Sequence, residues 1–306
     1  MEIIGPLNLL VILYTQLDGR NFLATLPSTG SKLATALYVL HYVNRAVISP
    51  FFAAPSMSPI HVVIVTSAVA FNWFNSVCLA GWILGFPVDV VYPSAGGGGV
   101  SSTASDISKG TAAGLQVPSP GQSPLLPGLG LAVFFIGMIG NIYSERTLFR
   151  LRRKEGDKRA SSTTKDDDNS SSNPDDKKKN RYSKVYVIPP KQGVFKTILY
   201  PHFAFEWIEW LGYALVGTAV FPPATAAAAM VAGTAPQITL APWLVPAARL
   251  AESLRVPLPL PALVFVVNAV TNMLPHARWG RKWYVEKFGD EAVGNRGAAV
   301  PWCPWL

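Results

Sequence analysis

The sequence predicts an all-α integral membrane protein, a bundle of six to seven transmembrane helices. Half of its 306 residues are hydrophobic and only 14% are charged, whereas an average soluble domain has roughly 25% charged residues. Six mostly apolar stretches have about the 20 residues that a helix needs to cross ~30 Å of hydrocarbon. Lys and Arg are concentrated between two of these stretches. Together these observations exclude an ordinary soluble domain.

The apolar stretches define the predicted helices in chain order. The six spans are 3–24, 33–52, 60–85, 127–150, 202–222 and 257–275. A further apolar stretch, 224–248, is interrupted by Pro236, Pro242 and Pro246. Because proline disrupts a helix interior, we interpret this stretch as a loop or interfacial segment that could also complete a seventh span. The start of the chain lacks a basic n-region and a clear cleavage site, so we do not interpret it as a signal peptide.

Composition divides the chain into three parts. Residues 1–85 form an N-terminal group of transmembrane helices, 86–126 form a Gly/Ser/Pro-rich linker, and 127–306 form a C-terminal domain. The glycine run 96–99 follows no strand and opens no helix, so it does not resemble a phosphate-binding loop. Residues 153–183 are charged and of low complexity, and we expect this insert to be disordered because it cannot bury a core.

The position of the positive charge predicts the topology. Fifteen of the 26 Lys and Arg residues, but only seven of the 18 Asp and Glu residues, lie within 146–196. A basic run can bind nucleic acid, but apolar spans flank this one, so the preference of Lys and Arg for cytoplasmic loops explains it better. The segment 146–196 is therefore expected in the cytosol and 86–126 on the opposite side. Six spans then leave both termini in the cytosol.

Several types of site are absent from the sequence. Cys78 and Cys303 are too few for a disulfide framework, and no CxxC or Cys/His cluster indicates zinc. No HExxH, Walker loop, nucleophile elbow or Rossmann fingerprint is present. We therefore predict no metal site and no soluble-type cofactor domain.

Polar residues within the apolar spans point to a functional site, because an ionisable group at the membrane centre costs at least ~2.5 kcal/mol. They form three clusters: His41, Tyr42, Asn44 and Arg45; Asn141, Tyr143, Glu145, Arg146, Arg150 and Arg152; and His202, Glu206, Glu209 and Tyr213. The spacing of Glu206, Glu209 and Tyr213 places them on one helix face. That face must look into the bundle or into a water-filled pocket. There it could form a polar contact between helices, a proton relay or a binding site.

The basic residues at the end of the fourth span have two interpretations. Arg150, Arg152 and Arg153 are expected at a cytosolic helix end from topology alone. Guanidinium groups also bind phosphate in a bidentate manner, so the same residues could clamp a phosphorylated ligand. Glu145 lies one to two turns before Arg150 and Arg152 and could orient either of them.

Four segments resemble motifs of the steroid 5α-reductase family (3-oxo-5α-steroid 4-dehydrogenase, C-terminal domain), including its fungal-type members. GMIGNIYSERTLFRLRR at 137–153 resembles the family's Asn-x-x-x-acid turn followed by arginines. Residues 186–215 resemble its Tyr-x-Ile-Pro stretch and Glu-x-x-Glu-Trp-x-Gly-Tyr helix, and 282–302 its Trp-Tyr…Arg-x-Ala-x-x-Pro tail. LHYVNRAVISP at 40–50 resembles its His-Tyr-x-x-Arg motif. The four segments occur in the family's order and together contain 79 of the 306 residues, about a quarter of the chain.

The resemblance implies a seven-helix bundle in the endoplasmic reticulum membrane that binds NADPH in a polar cavity open to the cytosol. It implies an oxidoreductase that reduces a carbon–carbon double bond conjugated to a carbonyl in a lipophilic, 3-oxo-Δ4-steroid-like substrate. Tyr42, with Glu2 as its acidic partner, would polarise the carbonyl. The residues that would contact the dinucleotide are Asn141, Glu145, Arg152, Tyr186, His202, Glu206, Tyr284 and Arg296. His202 stands where the family often has Asn, and Gly280 where it usually has His.

Other functions remain open at this point. Polyprenol and very-long-chain enoyl-thioester reductases share the architecture, and an isoprenylcysteine methyltransferase-like enzyme would bind S-adenosylmethionine instead. A non-catalytic transporter could use the carboxylate face for protons or ions. We expect a monomer whose partners are the lipid bilayer and a lipophilic small molecule, and no nucleic acid.

Overall fold

The computed structural model describes residues 1–17, 19–56, 60–93, 125–163 and 181–303. Ten α-helices and two short β-strands are seen within these residues. The helices are α1 Ile4–Gln16, α2 Phe22–Thr25, α3 Thr29–Tyr42, α4 Val62–Leu84, α5 Leu125–Thr163, α6 Pro201–Gly217, α7 Ala224–Val231, α8 Val245–Ser253, α9 Leu260–Phe288 and α10 Asp290–Val293. The strands are β1 Asp89–Val91 and β2 Gln237–Thr239.

Local sequence signals explain where the central helices begin and end. The Ser28 hydroxyl caps α3 by accepting a hydrogen bond from the Ser31 amide at 3.0 Å. Helix α4 ends at Gly85, whose φ of 74° is the left-handed conformation that glycine favours. Helix α3 continues directly into a π-helical segment, Val43–Ala53, which contains Pro50. Proline cannot donate to the helical ladder, and π-helical turns are common at functional sites.

One hydrophobic core joins all six of the longer helices. It contains Leu9 and Leu13 of α1, Tyr38 of α3, Leu79 and Ile83 of α4, Phe134 of α5, Trp210 and Tyr213 of α6, and Phe265 of α9. Large apolar side chains also cover the outside of the bundle, among them Phe51, Val63, Phe74, Leu129 and Ile139. An apolar outer surface of this kind is typical of a protein whose solvent is lipid.

The structure supports a helical membrane protein, but the predicted count of six to seven spans is not confirmed. Among the described residues, three helices are long and apolar enough to cross a membrane: Val62–Leu84, Leu125–Ser162 and Leu260–Phe288. Helices α1, α3 and α6 overlap the other predicted spans but have only 13, 14 and 17 residues. At 1.5 Å per residue α1 and α6 are shorter than the ~30 Å hydrocarbon core, and α3 reaches about that length only together with the π-helical segment Val43–Ala53 that continues it.

The proline-interrupted stretch 224–248 is divided into short elements. Helix α7 has 8 residues, and β2 and a 3₁₀ turn at Pro242–Leu244 separate it from α8. Strand β2 pairs in parallel with β1, with Asp89 opposite Gln237. This pairing corrects part of the linker prediction, because 89–91 form a strand. The remainder of that linker, 94–124, lies outside the described residues.

The charged insert also begins later than predicted. Helix α5 continues through 153–163 instead of ending there in disorder. An i,i+4 ion pair of 3.1 Å between Arg159 and Glu155 lies on this extension, and such pairs support exposed helices. Arg181 and Tyr182 both bind Asp157, at 2.8 and 2.9 Å. Residues 164–180 of the insert lie outside the described residues.

Candidate functional site

A buried ionisable cluster joins α3 to α6 inside the bundle. Nδ1 of His41 lies 2.8 Å from Oε1 of Glu209, within hydrogen-bonding distance, and Nε2 lies 3.9 Å from Oε1 of Glu206. His41 and Glu206 are each only 4% exposed, and Glu209 is fully buried. The His41 ring packs on Trp210 with 4.4 Å between centroids. The carboxylate face of α6 therefore looks into the bundle, as its spacing predicts, and Trp210 is a core residue.

Arg45 connects this region to α1 and α5. Its Nε lies 3.4 Å from Oε2 of Glu2, and its Nη1 lies 3.7 Å from Oε1 of Glu145. The Ser49 hydroxyl donates to the other oxygen of Glu145 at 2.6 Å. The prediction that Glu145 orients Arg150 or Arg152 is therefore wrong. Successive turns of the π-helical segment carry Arg45 and Ser49, and both face α5.

Tyr42 is buried beside His41, and its hydroxyl donates to Oδ1 of Asn72 at 3.2 Å. The Asn72 amide nitrogen donates in turn to the Ala68 carbonyl at 2.8 Å, which fixes the amide. Glu2, the predicted acidic partner of Tyr42, instead pairs with Arg45 one turn further along the chain. The hydroxyl thus has a neutral acceptor in this conformation, with a carboxylate–guanidinium pair close by.

A second group of predicted residues lies at the end of the bundle that topology places in the cytosol. Three of them donate hydrogen bonds to the backbone of the extended segment 185–189. Arg152 Nε binds the Val185 carbonyl at 3.3 Å, and the Tyr284 hydroxyl binds the Val187 carbonyl at 3.2 Å. Arg296 Nη1 binds the Pro189 carbonyl at 2.8 Å. These three side chains therefore fix the backbone of the segment 185–189.

Arg296 is almost fully occupied by such contacts. Besides Pro189, its guanidinium donates to the carbonyls of Val293 and Ala292 at 2.9 and 2.8 Å, at the C-terminal end of α10. A cation bound to the last carbonyls of a helix stabilises that end. Burial lowers the pKa of the Arg296 guanidinium from its ordinary value, and the nearby Tyr284 acts in the opposite direction. The structure gives Arg296 a supporting role for the backbone.

The other three predicted cofactor residues differ in accessibility. Tyr186 is exposed, and its ring packs against Trp283 with 4.8 Å between centroids, while Lys287 Nζ lies 5.1 Å from its centroid. Asn141 is buried on α5. His202 lies at the second position of α6, with its ring 4.4 Å from that of Phe203. An exposed tyrosine that packs on a half-buried tryptophan beside a lysine is a surface on which a planar ring can stack.

Helix α6 carries buried polar atoms that have no hydrogen-bond partner among the described residues. They are Nδ1 of His202, Oε2 of Glu206, Nε1 of Trp207, Oε2 of Glu209 and the hydroxyl of Tyr213. A buried polar atom without a partner costs about 1–3 kcal/mol, so each one requires an explanation. Five such atoms on one helix indicate a place where a polar ligand or water could bind.

Glycine at position 280, in place of the family's usual His, has a steric explanation. A Cβ at this position would lie 2.1 Å from the Tyr200 hydroxyl. A side chain of any size is therefore excluded as long as Tyr200 occupies that place. His276, four residues earlier, packs its ring 6.0 Å from that of Trp279 and does not fill the position.

Comparison with known proteins shows which sequences this chain resembles. The family model of 3-oxo-5-alpha-steroid 4-dehydrogenase matches residues 170–232, which include α6. Over 89% of its length the chain is 24% identical to the steroid 5-alpha-reductase DET2 of Arabidopsis thaliana, of which it covers 69%. The predicted relationship to the steroid 5α-reductase family is confirmed. The corresponding DET2 of Solanum lycopersicum is 22% identical over 57% of the chain and 41% of the relative.

A relative from a fungus covers more of the chain. It is the uncharacterized protein C9.08c of Schizosaccharomyces pombe, 25% identical over 98% of the chain and 81% of the relative. The similarity to this fungal protein leaves out only 2% of the chain and therefore extends over both α3 and α6, the helices that carry the buried cluster.

The structure adds residues that the motifs did not assign to the site. Glu209 holds His41, and Arg45 holds Glu2 and Glu145. Arg45 and Glu209 belong to the polar clusters found in the sequence as ionisable residues within predicted spans, but no catalytic or cofactor role was predicted for them. Asn72 is a neutral amide in an apolar helix, and only its contact with Tyr42 reveals its role.

Proposed function

We propose that the chain is a membrane-embedded reductase that uses NADPH to reduce a carbon–carbon double bond conjugated to a carbonyl. We propose a lipophilic, 3-oxo-Δ4-steroid-like substrate and the endoplasmic reticulum membrane as its location. The observation that carries the proposal is the buried cluster of His41, Tyr42, Glu206 and Glu209 in a chain related to steroid 5α-reductases. Such a cluster is costly in a membrane bundle and therefore indicates function.

The polar atoms of α6 fit the nicotinamide–ribose part of a dinucleotide. The unpartnered oxygens of Glu206 and Glu209 are hydrogen-bond acceptors, and ribose hydroxyls and a carboxamide nitrogen are donors. Trp207 Nε1 adds a buried donor on the same helix. When bound, NADPH would supply the hydride. We propose that its partners come from the predicted set of Asn141, Glu145, Arg152, Tyr186, His202, Glu206, Tyr284 and Arg296.

Within this set, we propose that some residues support the site and others touch the ligand, on the basis of their contacts. Arg152 is only half-buried and uses one Nη and Nε on protein atoms, so it is a candidate for phosphate binding. Arg296 and Tyr284 hold backbone carbonyls and shape the site through the segment 185–189. Tyr186, which is exposed at the same end, is a candidate for contact with the adenine ring.

Tyr42 is the proposed catalytic residue on the substrate side. Addition of hydride at the β carbon builds negative charge on the carbonyl oxygen. The Tyr42 hydroxyl, turned from Asn72 to that oxygen, would stabilise or protonate the enolate. Glu2 and Arg45 lie next to this position and set its electrostatic environment. Burial strengthens the interaction, because the effective dielectric constant there is low.

A Tyr42→Phe variant tests the mechanism. With detergent-purified protein and a 3-oxo-Δ4 steroid, steroid-dependent NADPH oxidation should fall by about 10²–10³-fold, the usual contribution of a proton donor or oxyanion donor. NADPH binding should be unchanged. The control is Tyr14→Phe, because Tyr14 is exposed on α1 and its hydroxyl should not matter. Undiminished turnover by Tyr42→Phe would refute the role of the hydroxyl.

NADPH binding by the unmodified protein tests the cofactor separately. Steroid-dependent loss of NADPH absorbance is expected. Tight NADPH binding without steroid turnover would support a reductase that acts on another substrate, of the polyprenol or enoyl-thioester type. A well-folded protein that binds S-adenosylmethionine and not NADPH would overturn the proposal.

A further inference from the structure

A separate cavity of about 450 Å³ lies at the other end of the bundle, within the size range of small-molecule sites. The end of α4, the two-stranded sheet, α8 and the start of α9 enclose it. Val220, just after α6, lines it, whereas Glu209 of the candidate site lies eleven residues earlier. From Glu209 to the end of α6 at Gly217 the helix is about 12 Å long at 1.5 Å per residue, and neither Glu206 nor Glu209 is among the described residues that line the cavity. The cavity is therefore distinct from the buried cluster.

The wall of the cavity is mostly apolar, with three aromatic rings and two carboxylates. The rings belong to Trp82, Phe86 and Tyr92, and the carboxylates to Asp89 and Glu252. No Lys or Arg is among the described residues that line it. Aromatic faces together with carboxylates favour a cation over an anion or a neutral group.

Asp89 is the most informative of these residues because it is 95% buried, with only 5% of its surface exposed. One of its carboxylate oxygens accepts a hydrogen bond of 3.1 Å from the neutral amide of Gln237. Within the described ranges, no cation forms an ion pair with it. The Arg249 guanidinium lies over the Tyr92 ring, 5.6 Å from its centroid. A buried carboxylate without a counter-charge is unfavourable, so a ligand cation would complete it.

The cavity opens towards the lipid-facing side of α4. Cys78 lines the cavity and is exposed, and Phe86 is 57% exposed. Phe74, one turn before Cys78 on the same helix, is also exposed. A ligand can therefore enter from the apolar phase and need not cross the aqueous surface.

We propose that this cavity binds a lipophilic amine, with its apolar body against Trp82 and Phe86 and its ammonium group on Asp89. The site is independent of the proposed reductase activity. The chain has two cysteines, so Cys303→Ser leaves Cys78 as a single reporter in the cavity wall. The rate at which a maleimide alkylates Cys78 in nanodiscs then reports occupancy.

The probes are dodecylamine and its neutral counterpart dodecanol. Dodecylamine at ten times its half-protecting concentration should slow alkylation about tenfold, as one-site occupancy requires. Dodecanol at the same concentration should slow it less than about twofold, since it lacks the charge that pairs with Asp89. Equal protection by both probes, or none by the amine, would overturn the proposal.

Three variants in the Cys303→Ser protein separate specific binding from a membrane effect. Asp89→Asn keeps the shape and should raise the half-protecting concentration of the amine at least about tenfold. Glu252→Gln, the matched charge control, should raise it less than about threefold because Glu252 is only half-buried. Gly81→Leu should abolish protection by filling the cavity, since a Cβ at Gly81 meets only Phe86, at an ordinary 3.7 Å.

The comparison of Asp89→Asn with Glu252→Gln decides the question even if Gly81→Leu does not fold. If Asp89→Asn loses protection by the amine and Glu252→Gln retains it, the site is established. Unchanged protection in Asp89→Asn would show that the amine acts through the bilayer and refute the assignment.

Discussion

The close contact between α5 and α6 gives the sharpest test of how the fold positions the buried cluster. Glycines allow the two backbones to approach each other. A Cβ at Gly137 of α5 would lie 2.3 Å from the backbone nitrogen of Glu209 and 2.6 Å from its Cα. A Cβ at Gly212 of α6 would lie 2.3 Å from the Phe134 nitrogen. Small residues at helix interfaces are the usual means of close packing in membranes.

Gly137→Ala should therefore be destabilising even though it adds one methyl group. The obstructing atoms are backbone, so no side-chain rotation relieves the clash, and ordinary contact begins only near 3.4 Å. The helices must separate locally by about 1 Å, at a cost of about 1–3 kcal/mol for overpacking. The separation also moves Glu209, so its 2.8 Å contact with His41 should be strained or lost.

The assay is thermal unfolding of the detergent-purified variants, with Gly128→Ala as the matched control. Gly128 is on the same helix, and an added Cβ there meets nothing within 4 Å. We expect Gly137→Ala to lower the unfolding midpoint by about 2–8 °C, whereas Gly128→Ala should leave stability unchanged or raise it by up to about 1 kcal/mol, because Ala has the higher helix propensity. Equal midpoints for the two variants would show that the helices are not in contact as described.

Three further predictions concern single side chains. Glu209→Gln should lower stability by about 1–3 kcal/mol, since a buried acceptor for His41 is weakened; an unchanged unfolding midpoint would contradict it. Arg296→Lys should cost about 2–3 kcal/mol because Lys lacks the planar fork that holds the carbonyls of 185–189 and α10, and protease cleavage of the C-terminal tail should accelerate. Asp157→Asn should cost less than ~1 kcal/mol, because its pair with Arg181 is exposed, and a larger loss of chemical stability would indicate that the end of α5 is more firmly packed.

The positions of the polar clusters could be predicted from the sequence because an ionisable residue in an apolar helix is costly and must face inward. The spacing of Glu206, Glu209 and Tyr213 was enough to orient α6 correctly. The partners could not be predicted, since they depend on packing between distant segments. Glu145 binds Arg45, a hundred residues earlier, whereas helix spacing alone favoured Arg150 or Arg152.

Composition predicted the structure of the linker after α4 and of the charged insert less well. The linker after α4 is rich in residues that avoid strands, yet Asp89 and its neighbours pair with a strand 148 residues away. Backbone hydrogen bonds form that pairing, and composition does not report them. The charged end of α5 remains helical because Arg159 pairs with Glu155 along the helix. In addition, Asp157 binds Arg181 and Tyr182, which follow the insert in the chain.

The predicted cofactor residues show how a motif can define a site without touching the ligand. Arg152, Tyr284 and Arg296 bind alternate carbonyls of the segment 185–189 from two different helices and the C-terminal tail. A segment fixed in this way presents its amides and side chains, such as Tyr186, in one orientation at the end of the bundle that is predicted to face the cytosol. If Arg296→Lys weakens NADPH binding only in proportion to its loss of stability, Arg296 acts through that backbone. A loss of affinity at full stability would instead place its guanidinium on the cofactor.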